Sequence, residues 1–225
     1  VDRPLTGRAP MTIQYLSSFV STESRIAGQL ARAGYAVIDH YLPERQIDKI
    51  RSELGDAWQS GCFRHAGVGR GESWELQPDV RNDKVLWLEQ ATCTPSQQLY
   101  LTALEKLRRQ LNQDLLLGLF NFEGHMAVYP PGARYQRHID QFRDMGTRRV
   151  TAILYLNADW KISDGGALRL YLDNDNPRHY KDIYPYAGRL VTFLSDRFYH
   201  EVLPASRERY SITGWFRQRE DMLAI

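Results

Sequence analysis

The sequence predicts an α+β fold that is mainly β: a β-sandwich or barrel backed by N-terminal helices. Helical periodicity is confined to the chain before Asn112. After it come short strand-like runs separated by Pro, Gly and Asp turns. With 225 residues, no internal repeat and no Pro/Ser linker, residues 11–225 read as a single domain. The Pro/Gly/Arg-rich lead Val1–Pro10 reads as a cloning remnant ahead of a native start at Met11.

The first predicted helix is Glu23–Ala33, with Ser21 and Thr22 as capping candidates and Gly34 at its end. The second, Pro43–Trp58, opens on a proline suited to a first helical turn, and repeats Ile47, Ile50 and Leu54 at helical spacing. The third, Pro95–Asn112, follows Thr94 as N-cap and carries a stripe of Leu101, Leu104, Leu107 and Leu111. Between the second and third lies Gly61–Asn82, a polar stretch too long for an ordinary connection, so it reads as a flap or a mobile loop. The strand-like runs are His125–Tyr129, Arg134–Asp140, Arg149–Asn157, Ala167–Leu172, Arg189–Leu194 and Glu208–Arg217. Turns fall at Pro130-Pro131-Gly132, Asp164-Gly165-Gly166 and Asp173–Pro177.

Composition narrows the function. Hydrophobic residues at 43% and charged residues at 25% exclude a largely disordered or collagen-like chain. No long uncharged apolar run is present, which argues against a membrane-spanning protein. Twenty-nine Lys and Arg against 27 Asp and Glu give a net charge of +2, which argues against a nucleic-acid binder. Cys62 and Cys93 lie in no metal-ligand spacing. Free thiols in a reducing cytoplasm are the simplest reading, and one disulfide stays open. The first residues carry no apolar signal-peptide core, so the expected location is cytoplasmic.

Chemistry concentrates in His138-Ile139-Asp140. Side chains alternate along a strand, so His138 and Asp140 point to one face and can take two neighbouring positions on one metal ion. A surface His–Asp pair is the plainer alternative. His200, in a further strand-like run Phe198-Tyr199-His200-Glu201-Val202, is either a hydrogen-bonded core histidine or the third member of a 2-His-1-carboxylate set. That set with open positions points to a non-haem Fe(II) oxygenase. In the run from Arg209 to Trp215, alternation puts Arg209, Ser211, Thr213 and Trp215 on one face. Tyr210, Ile212 and Phe216 fall on the other, packed one. A buried arginine needs an anion. A dicarboxylic keto acid supplies one, its keto end chelating iron and its far carboxylate meeting the guanidinium. An internal Arg–Asp/Glu bridge is the alternative.

These residues resemble the 2-oxoglutarate- and Fe(II)-dependent dioxygenases. The flanking words are similar to the prolyl hydroxylase branch that includes the oxygen-sensing HIF prolyl hydroxylases. They are Val80–Glu89, Tyr129-Pro130, Ile153–Asn157 with Asp159-Trp160, Asp164–Arg169, Ser195-Asp196-Arg197, His200–Val202 with Pro204-Ala205, and Arg209–Thr213 with Trp215. The resemblance spans roughly Gly34 to Arg217, nearly a whole domain.

The resemblance implies a double-stranded β-helix core (jelly-roll, cupin-like). It implies His138, Asp140 and His200 as iron ligands, and Arg209 and Tyr155 on the distal carboxylate of 2-oxoglutarate. Tyr129 and Thr213 would line that pocket. Trp215, Arg81, Asp83 and Tyr135 would border the substrate, with Gly67–Val80 as a loop closing over it. The implied reaction is prolyl 4-hydroxylation of a protein, coupled to conversion of 2-oxoglutarate and O2 into succinate and CO2. Ascorbate is an implied accessory, and Mn(II) or Zn(II) can replace Fe(II) in a purified sample. The short chain looks like a bacterial relative acting as a monomer, and that branch is associated with elongation factor Tu as target.

The chain departs from the family at the loop Gly67–Val80, which has its own sequence. His125 replaces an apolar family residue and reads as packed or as a partner of the site. The spacing from Tyr129 to His138 is one residue shorter than in the animal enzymes, which puts the change in the turn Pro130–Ala133. Rival functions are the same chemistry on a free amino acid or other small molecule, and a non-catalytic jelly-roll binding module. A nucleic-acid demethylase fits poorly, because the second arginine expected six residues after Arg209 is Trp215.

Overall fold

The computed structural model describes residues 20–67, 75–141 and 146–219. The segment Val1–Pro10 and residues 68–74, half of the loop Gly67–Val80, lie outside the described residues.

Three helices form where expected. In α1 (Thr22–Ala33) the Ser21 hydroxyl accepts from the Ser24 N–H at 3.1 Å. Gly34, at φ 79°, closes the helix by donating its N–H to the Leu30 carbonyl at 2.8 Å. In α2 (Glu44–Gln59) Pro43 is the N-cap rather than part of the first turn. In α3 (Pro95–Leu115) Thr94 and Gln97 form a reciprocal capping box. Its buried stripe is Tyr100, Leu104, Leu107 and Leu111. Tyr100 replaces the expected Leu101, because the contact face is set by how the helix lies on the sheet.

The strands are β1 (Tyr35–Ile38), β2 (Arg64–His65), β3 (Lys84–Trp87), β4 (Leu119–Tyr129), β5 (Tyr135–His138), β6 (Arg148–Tyr155), β7 (Leu168–Tyr171), β8 (Tyr180–Ile183), β9 (Leu190–Leu194), β10 (His200–Val202) and β11 (Arg209–Gln218). Four of them, β1, β2, β3 and β8, lie outside the predicted runs. They have two to four residues and sit toward sheet edges, where pairing rather than pattern makes a strand. The run expected to end at Asp140 stops at His138, and Asp140 lies in the bend immediately after it.

All strands pair antiparallel in two sheets. One has the order β1-β9-β6-β11-β4-β3-β2, the other β5-β10-β7-β8. Alternation along the long strands divides the core. Met126, Val128, Val150, Ala152, Leu154, Ile212 and Phe216 pack on the helices. Ala127, Tyr129, Ile153, Tyr155, Val191 and Phe193 meet Leu168, Leu170, Ile183 and Val202 of the smaller sheet. The result is the double-stranded β-helix, two facing sheets with helices behind the larger one.

Two turns set the ends of the strands that face the cavity between the sheets. Pro131 and Gly132 (φ 79°) carry the chain from β4 to β5, and the Ala133 N–H closes the turn on the Pro130 carbonyl at 2.9 Å. Gly165 and Gly166 have φ of 72° and 68°, and side chains there would meet the Pro204 carbonyl at 2.7 Å and the Ala205 Cβ at 2.9 Å.

Candidate active site

The site lies between the sheets. His138 ends β5 and His200 begins β10, and the register sets the two directly opposite each other. Their rings lie 4.2 Å apart, and Asp140 reaches the same spot from the bend after β5. Asp140 Oδ1 is 3.6 Å from His138 Nε2 and 3.7 Å from His200 Nε2. One ligand atom from each residue falls within 4.8 Å of the others.

The surroundings prepare these atoms as donors. His138 Nδ1 lies 2.7 Å from the Gln136 carbonyl, and His200 Nδ1 lies 3.1 Å from the Phe198 carbonyl. A carbonyl only accepts, so each Nδ1 carries the proton and each Nε2 presents a lone pair toward Asp140. Burial, helped by the neighbouring His138, lowers His200 to about 4, so that ring is uncharged at neutral pH. Burial raises the Asp140 carboxyl, but His200, His138 and a hydrogen bond from Thr151 outweigh it and hold it ionised. The Thr151 hydroxyl donates to Asp140 Oδ2 at 2.6 Å and lies 2.9 Å from the Ser195 hydroxyl. Two imidazoles and a pinned carboxylate on one side of a cavity fit a divalent first-row metal.

The cavity around them measures about 580 Å³. On another of its walls Arg209 is 2% exposed. Its Nε donates to the Gly166 carbonyl at 2.9 Å, and the guanidinium carbon lies 5.1 Å from the Tyr129 ring and 4.9 Å from the Tyr155 ring. No carboxylate among the described residues pairs with it, so the internal-bridge alternative does not hold. The Tyr155 hydroxyl is buried without a hydrogen-bond partner. An uncompensated guanidinium and an unpartnered phenol, both buried, fit a carboxylate.

Thr213 and Trp215 line the same cavity. Tyr135 stacks on His138 with ring centroids 3.6 Å apart. Arg81 lies over Tyr135 at 4.3 Å and grips the fully buried Asp83 with bonds of 2.8 and 2.7 Å. A second cavity of about 790 Å³ adjoins, and Arg81, His125, Tyr135, Arg148 and Trp215 line both. His125 is packed, with its ring 5.0 Å from Trp87 and 5.7 Å from Trp215. Its Nδ1 is nonetheless buried without a partner.

Sequence reasoning missed the Thr151–Ser195 support of Asp140. It also missed Arg148, whose guanidinium carbon sits 3.4 Å above the Trp215 ring, and Glu123, which accepts from Arg148 Nε at 2.9 Å. Alternation does put Thr151 on the site face, but only register shows what it touches. Both cysteines are free thiols. No described helix is long and apolar enough to cross a membrane.

The model of the 2OG-Fe(II) oxygenase superfamily matches residues 124–217. A Pseudomonas putida prolyl-4-hydroxylase structure is 40% identical, with a TM-score of 0.78, over 88% of this chain and 100% of that one. A prolyl hydroxylase from Trichoplax adhaerens, solved with a hypoxia-inducible-factor oxygen degradation domain peptide fragment, is 31% identical, again at 0.78, over 87% of this chain and 89% of that one. The human protein Egl nine homolog 1 is 34% identical over 193 residues, which are 81% of this chain and 43% of that protein. The chain thus spans less than half the length of this curated relative.

Proposed function

We propose, for a chain that belongs to the 2OG-Fe(II) oxygenase superfamily, that it hydroxylates a prolyl residue of a polypeptide at C4. The observation that carries this reading is one cavity holding both a 2-His-1-carboxylate cluster and a buried arginine without a carboxylate partner among the described residues. The likeness to prolyl hydroxylases supports the choice of proline.

In this reading His138, Asp140 and His200 hold Fe(II). When bound, iron and 2-oxoglutarate supply the oxidising chemistry, turning O2 and the keto acid into succinate, CO2 and one hydroxyl on carbon. Arg209 and Tyr155 take the distal carboxylate and so fix which end of 2-oxoglutarate faces the cluster. Tyr129 and Thr213 complete the walls of that pocket and exclude water from it. Thr151 keeps Asp140 on one oxygen, leaving the other for the metal. Trp215 and Tyr135 flank the target residue, and the Arg81–Asp83 pair holds Arg81 over the Tyr135 ring on that side of the cavity. The adjoining cavity of about 790 Å³ gives room for chain on either side of the proline, which favours a polypeptide over a free amino acid.

Elongation factor Tu is the target we put first, the enzyme acting as a monomer in the cytoplasm. Ascorbate is the proposed accessory that keeps iron reduced, and Mn(II) or Zn(II) can replace Fe(II) in a purified sample, since affinity alone does not select iron.

The test loads the protein with Fe(II) without oxygen, then adds 2-oxoglutarate, air and purified elongation factor Tu or host lysate. Mass spectrometry should find one proline gaining an oxygen, and His138→Ala should lose it. Succinate formed only with a pool of small metabolites would transfer the chemistry to a small substrate. No succinate under any condition would leave a binding module. Arg209→Ala should raise the 2-oxoglutarate requirement while metal content holds, and an unchanged requirement would remove Arg209 from its role.

A further inference from the structure

Trp215 stands in the wall shared by the two cavities, and one side of its ring is covered by an arginine. The Arg148 guanidinium carbon lies 3.4 Å from the ring centroid, well inside the ~6 Å within which a cation and an aromatic face attract. Arg148 is itself held. Its Nε donates to Glu123 Oε1 at 2.9 Å, while Arg217 donates to Glu123 Oε2 at 2.8 Å. Arg217 Nε is tied in turn to Asn121 Oδ1 at 3.0 Å. Glu123 belongs to β4, Arg148 to β6 and Arg217 to β11, so the carboxylate ties three neighbouring strands together. It lines the outer cavity and does not reach the metal cluster.

We propose that Glu123 is a positioning residue that holds Arg148 flat on the indole and thereby fixes the face Trp215 turns to the substrate. The inference rests on the reading that a polypeptide binds beside Trp215. As a plain stabiliser the network has little to do, because its members are 19 to 31% exposed and such ion pairs are screened by water. As a geometric device it is well built. Both carboxylate oxygens are engaged, and a planar guanidinium bonded through Nε has its plane set. His125 closes on the same indole at 5.7 Å. The Trp215 Nε1–H is buried without a partner, a donor left for a substrate carbonyl.

The test uses the Zn(II)- and 2-oxoglutarate-loaded protein labelled with nitrogen-15. The indole N–H resonance of Trp215 is identified by its loss in Trp215→Phe. Glu123→Gln and Arg148→Lys should each move that resonance and speed its exchange with solvent. Arg148→Lys keeps the charge but loses the flat stack, and serves alone if Glu123→Gln does not fold. With Fe(II) and the polypeptide substrate, either variant should raise the substrate KM about tenfold. Neither should change the KM for 2-oxoglutarate or its substrate-free consumption. Glu123→Gln added to Trp215→Phe should cost nothing more than Trp215→Phe alone. An unmoved indole resonance, or additive losses in the double variant, would overturn the inference. If the wild type hydroxylates no polypeptide, the proposed function fails by itself, and the resonance still decides whether Glu123 positions Trp215.

Discussion

On the helix side of the seven-stranded sheet, β4, β6 and β11 present Met126, Val128, Val150, Ala152, Leu154, Ile212 and Phe216. On the other side the same strands present His125, Thr151, Tyr155, Arg209, Thr213 and Trp215. The first face is apolar and closed against three helices. The second is largely polar and opens on a cavity, and His125 Nδ1, the Tyr155 hydroxyl and Trp215 Nε1 have no hydrogen-bond partner there. An unsatisfied buried polar group costs ~1–3 kcal/mol. The difference teaches a division of labour at single-residue spacing: one face supplies stability, and the other carries groups that need a ligand to be satisfied.

Substitutions on the two faces should therefore fail in different ways. The largest effect is expected for Asp140→Ala, which removes a metal-facing carboxylate. Turnover should vanish while calorimetry of the metal-free protein shows a cooperative transition; full activity in this variant would remove the cluster from catalysis. Leu154→Ala, one residue from the site face, should do the reverse. Denaturant titration should show a loss of ~2–5 kcal/mol for a buried leucine, with the KM for 2-oxoglutarate unchanged in the folded fraction. A changed KM would mean the faces are coupled through the strand.

Thr151→Val is a subtler probe, since it keeps the shape and removes the hydrogen bond to Asp140. Loss of such a support costs ~10–100-fold in metal affinity or activity. Competition with a chelator measures it, and an affinity equal to wild type would show that Thr151 merely packs.

The smallest effect concerns His125. Burial, followed by the nearby Arg81 and Arg148 guanidiniums, lowers it to about 3. The unfolded chain protonates this residue near its ordinary 6.5, so it binds the extra proton and stability falls as pH falls. The loss begins below 6.5 and continues down to about 3. At ~1.4 kcal/mol per pH unit, His125 should remove about 2 kcal/mol between pH 6.5 and 5. His125→Leu should lack that increment when urea midpoints are compared at the two pH values. Parallel pH dependence in both proteins would place the imidazole in a charged state or in water.

Much of the site face was legible along the chain. Alternation placed Arg209, Thr213 and Trp215 together and opposite to Ile212 and Phe216, and the long strands kept that order. Helix caps at Ser21 and Thr94 were readable because a cap is a contact across three residues. The short strands β1, β2, β3 and β8 were not, since two to four residues hold too little pattern. His125 shows the boundary well. Its face was predictable, but that it sits between Trp87 and Trp215 with a bare nitrogen was not.

The sequence by itself determined which residues share a face, where the helices begin, and which residue types could hold a metal and a dicarboxylate. Those properties come from backbone periods and local hydrogen bonds. Only the tertiary structure decided that His200 lies opposite His138, that Thr151 holds Asp140, that a backbone carbonyl rather than a carboxylate meets Arg209, and that Glu123 ties Arg148 to Trp215. These contacts depend on register between strands far apart in the chain, and a shift of one residue would turn each side chain to the opposite face.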